Sequence, residues 1–258
     1  MKLNEIEKYY NKFNEDKRLL SRHGQVEFKT TMHYILKYTK KYKVAKILDV
    51  GAGTGRYSIA LSQQGYDVTA VELVKHNLRV LQQKNSNVKA VLGNALNLKK
   101  FADESFDCVL LFGPMYHLFT EQEKLQALAE AKRVVKTGGL IFVAYYLNEY
   151  AVLVHGFRDN FILQNIADGK LDSSFKIKND ISNLYSMERI EYIKRYSKKA
   201  GLKRLKIIAP DGPSDYMRPV LNKMDDNTFD IYCKYIKSIC ERKELLGASS
   251  HLVDILKK

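Results

Sequence analysis

The sequence predicts an α/β fold, a mostly parallel sheet covered by helices on both faces. Three observations predict it. From Ala45 onward, short continuous apolar runs alternate with helical segments, and strands apolar on both sides belong to a sheet buried on both sides. The first of these runs leads directly into a glycine-rich turn that opens a helix, Ile47-Leu48-Asp49-Val50-Gly51-Ala52-Gly53-Thr54-Gly55. The chain has 258 residues, 45% hydrophobic and 28% charged, a composition that suits one core with additions and does not suit wholesale disorder.

Two helical stretches come first. Leu3, Ile6, Tyr10 and Phe13 share a face at helical spacing, as do Phe28, Met32, Ile35 and Leu36. Residues 1–44 therefore read as a helical cap. Strands are expected at 45–50, 67–72, 88–93, 106–112, 140–146, 202–208 and 251–256. Helices are expected between them at 55–64, 74–85, 120–136, 186–200 and 226–245. Thr120 and Glu123 form a capping box that fixes one helix start. Gly65, Gly138 and Gly201 mark expected helix ends. Residues 147–185 break this rhythm, and a structureless loop of that length is uncommon. They read as a helical insertion over the sheet edge and a candidate lid, inside a domain formed by 45–146 and 186–258.

The net charge of +14, with 43 Lys+Arg against 29 Asp+Glu, raises the prospect of a polyanionic partner. The charge sits on the flanks. Residues 45–150 are nearly neutral, and the densest basic run is Lys194 to Lys206. Most of the bases are lysine, whereas bidentate phosphate and base contacts favour arginine. A solvated basic face is the simpler reading, with nucleic acid as the less favoured partner. No apolar run approaches the ~20 residues of a membrane span, and the amino terminus carries acids where a signal peptide needs an apolar stretch. Cys108, Cys233 and Cys240 are too few and scattered for a disulfide framework or a zinc site, and read as core residues. A cytoplasmic, reduced protein is expected; oligomeric state has no signature in the sequence.

The glycine turn carries the chemistry. Glycines let the main chain turn sharply and let a ligand lie against bare amides. Dinucleotide enzymes use G-x-G-x-x-G; here the spacing is G-x-G-x-G, and Arg56 stands where the third glycine of that pattern would be. With Asp49 two residues before the first glycine, the chain resembles class I S-adenosylmethionine-dependent methyltransferases. Four further landmarks follow in order: Glu72 ending the second strand, Gly93-Asn94-Ala95 after the third, Phe106 to Leu111 as the fourth with Phe112-Gly113-Pro114-Met115-Tyr116-His117-Leu118 after it, and Arg133 to Leu140 with paired glycines.

The resemblance implies a Rossmann-like, seven-stranded, mostly parallel sheet with the last strand antiparallel. It implies S-adenosylmethionine as cofactor, S-adenosylhomocysteine as product, and no metal. The residues it assigns to the cofactor are Asp49, Gly51, Ala52, Gly53, Gly55, Glu72, Leu73, Asn94, Ala95 and Leu111. A carboxylate at Glu72 can accept both ribose hydroxyls. Asn94 replaces the commoner Asp, and its carbonyl can still accept from an adenine amino group.

The implied reaction is in-line displacement of a methyl group from a sulfonium, which requires collinear placement and exclusion of water. It requires a base only for a protonated acceptor. Tyr116 and His117, after the fourth strand, are the polar candidates for catalysis, with packing roles as the alternative. Tyr145 and Tyr146 end strand five, and only one of them can face the mouth of the site. Tyr10 and Arg18 are candidates to reach the cofactor's carboxylate, with placement on the surface the simpler reading for Arg18. Gly113-Pro114-Met115-Tyr116 is similar to the [Asp/Asn/Ser]-Pro-Pro-aromatic signature of base-amino methylation, but Gly113 lacks the side-chain acceptor that chemistry needs. The favoured function is methyl transfer to nitrogen or oxygen of a small molecule. An RNA methyltransferase and a non-catalytic cofactor-binding module are the alternatives.

Overall fold

The computed structural model describes residues 3–12, 19–84, 86–180 and 184–258. Among the described residues eight strands form one sheet: β1 (Lys46–Val50), β2 (Asp67–Glu72), β3 (Lys89–Leu92), β4 (Phe106–Leu111), β5 (Val135–Leu147), β6 (Met187–Glu188), β7 (Lys203–Ile208) and β8 (His251–Lys257). Their order is β3-β2-β1-β4-β5-β8-β7, with β6 beside the end of β5. All neighbours are parallel except β8, which runs antiparallel to both β5 and β7. The order reverses between β1 and β4, and a crevice at the carboxyl ends of strands opens at such a switch point.

Around the sheet lie α1 (Leu3–Lys12), α2 (Arg22–Lys41), α3 (Arg56–Gln63), α4 (Lys75–Gln83), α5 (Glu121–Val134), α6 (Asn148–Ala151), α7 (Ile162–Ala167), α8 (Ile190–Lys199), α9 (Arg218–Leu221) and α10 (Asp226–Ile239). Alternation along the strands sorts the core into two layers. Leu48, Val50, Val109, Leu111, Ile141 and Val143 pack with Leu128 and Ala131 of α5 and Tyr196 of α8. Ile47, Val68, Cys108, Leu110 and Phe142 pack on the other face with Ile35 of α2 and Leu61 of α3. The capping box at Thr120 and Glu123 is formed. All three cysteines are buried.

The expected seven strands are present, and the differences are local. The two-residue β6 is an eighth strand, inside the stretch expected as helix 186–200. Its main chain is claimed before the helix starts: Ser186 N–H donates to Tyr116 O (2.6 Å) and Met187 N–H to Asn179 Oδ1 (3.0 Å). β5 starts at Val135, so Gly138 lies within that strand and α5 ends at Val134. The pairing with β4 shifts register between Phe106 and Cys108, and a Cβ on Gly139 would come within 2.8 Å of Asp107 O. The paired glycines serve this irregularity. The helix expected over 226–245 stops at Ile239, where Cys240 O accepts from Ala209 N–H at 2.8 Å, and a short 3₁₀ helix Lys243–Ala248 follows.

The insertion after β5 is helical for its first half. α6 continues as a π-helix, Val152–Arg158, and α7 follows. Tyr150, Ala151 and Val154 are buried, whereas Leu153, Phe157, Phe161, Leu163, Ile166 and Phe175 are exposed, which accounts for the weak periodicity. The basic run is laced to acids. Arg195 and Lys199 pair with Glu121, Lys206 pairs with Glu241, and Arg204 pairs with the fully buried Asp254. No described helix is long and apolar enough to cross a membrane.

Candidate functional site

A cavity of about 900 Å³ lies along the carboxyl edge of the sheet. One half is built on the turn after β1. Gly51 and Ala52 N–H both donate to Val71 O (2.8 and 3.1 Å), which folds the turn back over β2. Gly51 has φ +76°, and a Cβ there would lie 2.5 Å from Pro114 Cδ. Gly55 has φ +85°, and a Cβ would lie 2.1 Å from Leu81 of α4. Both positions thus exclude a side chain, by backbone conformation and by contact.

Glu72, buried at the end of β2, fixes the turn. One of its carboxylate oxygens accepts from Gly53 N–H and the other from Val74 N–H, both at 2.7 Å. Asp49 is buried under the turn and accepts from the Ser58 hydroxyl. Burial pushes its carboxyl up to about 6, against the opposing pull of that hydrogen bond.

Asp49, Gly51, Ala52, Gly53, Glu72, Leu73, Asn94 and Ala95 all line the cavity. Asn94 Oδ1 accepts from Leu96 N–H at 2.9 Å, which leaves the second lone pair of that carbonyl for a ligand. Gly55 and Leu111 are not among the lining residues. Gly55 starts α3 against Leu81, and Leu111 is fully buried in the sheet core, next to Phe112, which does line the cavity. The cradle fits the implied cofactor: a glycine-rich turn that excludes a side chain at Gly51 and Gly55, a carboxylate at the end of β2, and an amide after β3.

The loop after β4 crosses the middle of the cavity. Tyr116 lines it, with its ring near those of Tyr146 (6.4 Å) and His251 (5.7 Å). His117 has both ring nitrogens in hydrogen bonds. Nδ1 lies 2.9 Å from Leu184 O and so carries the proton, and Nε2 accepts from the Tyr10 hydroxyl at 2.9 Å. Burial pulls its pKa down to about 4, so the ring is neutral at physiological pH. Tyr10, expected near the cofactor's carboxylate, lines the cavity and is tied to the loop after β4 by this bond; Arg18 lies outside the described residues. Of the tyrosine pair, Tyr146 faces the cavity and Tyr145 is in the core.

The far half is a polar group the sequence reading did not assemble. His23, Glu27 and Thr31 stand one turn apart along α2 and all line the cavity. Facing it are Asp211 and Asp215 from the loop after β7, and His251 at the start of β8. Asp211, 4% exposed, accepts from the Ser249 and Ser250 hydroxyls, from His251 N–H (3.3 Å) and from His251 Nδ1 (2.8 Å). Burial pushes its carboxyl up, but His251 and the hydroxyl donors outweigh this and hold it below the usual range. Asp215 pairs with Arg218 and lies 3.7 Å from His23 Nε2. The signals were an acid following a strand in Pro210-Asp211-Gly212-Pro213, and a histidine opening another strand.

Comparison with known proteins agrees with this geometry. Residues 48–143 match the family described as methyltransferase domain. Over 101 residues the chain is 37% identical to a demethylmenaquinone methyltransferase of Renibacterium salmoninarum, covering 39% of this chain and 41% of that protein. Over 115 residues it is 28% identical to a glycine/sarcosine N-methyltransferase of Aphanothece halophytica, covering 43% of each. The matched stretch thus spans about two-fifths of the length of these relatives. Among solved structures, a Thermotoga maritima S-adenosylmethionine-dependent methyltransferase, described as a possible histamine N-methyltransferase, superposes over 99% of both chains. Its TM-score is 0.59 and its identity 20%; at that identity the likeness is one of fold.

Proposed function

With a methyltransferase domain matched over residues 48–143 as the premise, we propose that the protein moves a methyl group from S-adenosylmethionine to nitrogen or oxygen of a small-molecule acceptor. The observation that carries this reading is the glycine-rich turn 51–55 held against Glu72 at the head of a cavity about 900 Å³ in volume. That volume falls in the range of small-ligand sites. On this reading the bound cofactor supplies an electrophilic methyl group and its own leaving group. Gly51, Ala52 and Gly53 present main chain to it, Glu72 takes the ribose, and Asn94 and Ala95 take the adenine. Asp49, Gly55, Leu73 and Leu111 shape the pocket around these contacts.

Tyr116 faces the acceptor. His117, neutral and bonded on both nitrogens, serves the reaction by position: it joins α1, the loop after β4 and the end of the insertion over the cavity. Residues 1–44 and 147–185 then act as cap and lid that exclude water from the transfer. Of the two similar proteins, the glycine/sarcosine N-methyltransferase points to nitrogen as the acceptor atom, while the demethylmenaquinone methyltransferase does not.

The test is incubation of the purified protein with methyl-labelled S-adenosylmethionine and cell extract, before and after ribonuclease, followed by separation by size. Label in nuclease-resistant, low-mass material is the expected result. Label lost with nucleic acid would reverse it in favour of RNA.

A further inference from the structure

We infer that His251, held by Asp211, is the general base for a protonated amine seated between it and the Glu27–Thr31 face of α2. This rests on the methyl-transfer reading above and names the acceptor class and the residue that prepares it.

Charge comes first. The chain carries +14 overall, yet the far half of the cavity is lined by the carboxylates Glu27, Asp211 and Asp215, against Arg218 among the described residues. Such a lining favours a cation and opposes carboxylate or phenolate acceptors. Tyr116 and Tyr146, whose rings flank His251 at 5.7 and 5.2 Å, add faces that attract an ammonium group. A second, independent feature points to a ligand. Thr31 lines the cavity, and its Oγ1 is buried with no hydrogen-bond partner among the described residues, the residue being 2% exposed. A buried hydroxyl left in that state is costly; turning towards a bound amine would relieve the cost.

The geometry around His251 sets its protonation. Asp211 lies 2.8 Å from Nδ1 and is itself fixed by two serine hydroxyls and the His251 amide. The carboxylate requires the proton on Nδ1, so Nε2 carries the lone pair. Glu27 Oε2, 3.9 Å from Nδ1, adds a second negative charge beside the ring, and both carboxylates favour the imidazolium that forms when Nε2 gains a proton. The groups facing the ring are thus Asp211 and its serines from the loops, Glu27 from α2, Tyr116 from the loop after β4, and Tyr146 from β5. His23, Asp215 and Arg218 lie in the same half of the cavity.

An alkylammonium ion has no lone pair to attack with, so deprotonation must precede transfer. His251 Nε2 takes one proton from R–NH3⁺, leaving R–NH2. The nitrogen lone pair forms the new N–C bond as the C–S bond of the sulfonium breaks and its electron pair stays on sulfur. The products are R–NH2⁺–CH3 and the neutral thioether, and His251 returns its proton to solvent. Glu27, Asp211 and His251 also place ligand-type atoms within 4.8 Å of one another. The 2.8 Å contact of Nδ1 with Asp211 has the length of a hydrogen bond, and on this inference the cluster serves as a proton site.

The experiment uses the full chain with labelled S-adenosylmethionine and three probes of matched shape: 2-phenylethylamine, 2-phenylethanol and phenylacetate. Label is expected on the amine alone. Glu27→Gln should weaken 2-phenylethylamine binding, measured by calorimetry in saturating S-adenosylhomocysteine, by tenfold or more. His251→Gln should lower kcat/KM by about 10²–10⁴ while binding of S-adenosylhomocysteine stays within threefold. The variant's rate should climb about tenfold per pH unit towards the pKa of the free amine, a signature that a packing role would not produce. Should His251→Gln fail to bind S-adenosylhomocysteine, Asp211→Asn carries the same test, since it retains size and removes only the charge that sets the tautomer.

Label on the alcohol or carboxylate with none on the amine overturns the inference and leaves the methyl-transfer reading standing. Activity abolished by chelation and restored by a divalent cation overturns it in favour of a metal site. Failure of the wild-type protein to bind either form of the cofactor removes the underlying reading itself.

Discussion

Asp49 works against the stability of the strand that carries it. Its carboxyl is buried with the Ser58 hydroxyl as its hydrogen-bond donor, and its pKa of about 6 lies above the ordinary 3.8. The folded state therefore holds this proton more tightly than the unfolded chain does. Stability from this group is greatest below pH 4, declines as pH rises from about 4 to 6, and stays reduced above that. Asp49→Asn should raise stability at pH 7.5 by about 1–3 kcal/mol, with a smaller gain at pH 5, as read by thermal unfolding at the two values. On the proposed reading the same change weakens S-adenosylhomocysteine binding about tenfold, checked by calorimetry. At this scale the turn was legible because its residues are consecutive and each glycine answers a local demand. The far half was not. Glu27, Asp211 and His251 stand far apart in sequence, and each alone is an ordinary polar residue.

At the scale of elements, a buried ion pair fastens the return of the insertion. Lys124 of α5 is fully buried; its ammonium donates to Leu118 O, to Ser186 Oγ (2.8 Å) and to Glu188 Oε1 (3.1 Å) on β6. Burial lowers the lysine pKa and the Glu188 charge opposes that. Lys124→Met leaves Glu188 buried without its cation and should cost about 3–5 kcal/mol in denaturant unfolding. Adding Glu188→Leu should recover most of the loss, since an apolar pair replaces the charges. Seven strands were legible because each is a short segment rich in apolar residues that recurs between helical segments and turn signals. β6 was not, because two residues carry no periodicity and its partner, the end of β5, is 41 residues away (Tyr146 with Met187). The same ion pair was hidden for a related reason: a lysine in a helix gives no sign that it is buried.

For the whole molecule, the charge is divided between a basic exterior and an acidic interior cavity. Much of the densest basic run is committed to partners, and Arg204 in particular anchors the buried Asp254 between β7 and β8. A nucleic-acid surface would need those charges free, since affinity for phosphates rests on displaced counterions. Single-stranded RNA should therefore show no saturable binding at about 150 mM salt, in the regime where phosphate-driven contacts already weaken; filter binding across a salt series checks this. Substitutions that probe the basic face should spare Arg204 and use Lys198 and Lys203, because loss of Arg204 would act through the sheet. The fold class and its order of elements were legible because alternation fixes which faces are covered. The acidic cavity was not, since net charge per segment averages over inside and outside.

The segment between β5 and β6 departs and rejoins at adjacent positions, with Tyr146 paired to Met187 and Leu147 to Glu188. Its two ends are thus closed by the sheet itself, whatever lies between them. A change of length or sequence within that excursion can therefore be absorbed without moving the glycine turn on the opposite side of the switch point. On the proposed reading, acceptor preference is the property such a change would alter, and cofactor affinity the one it would spare.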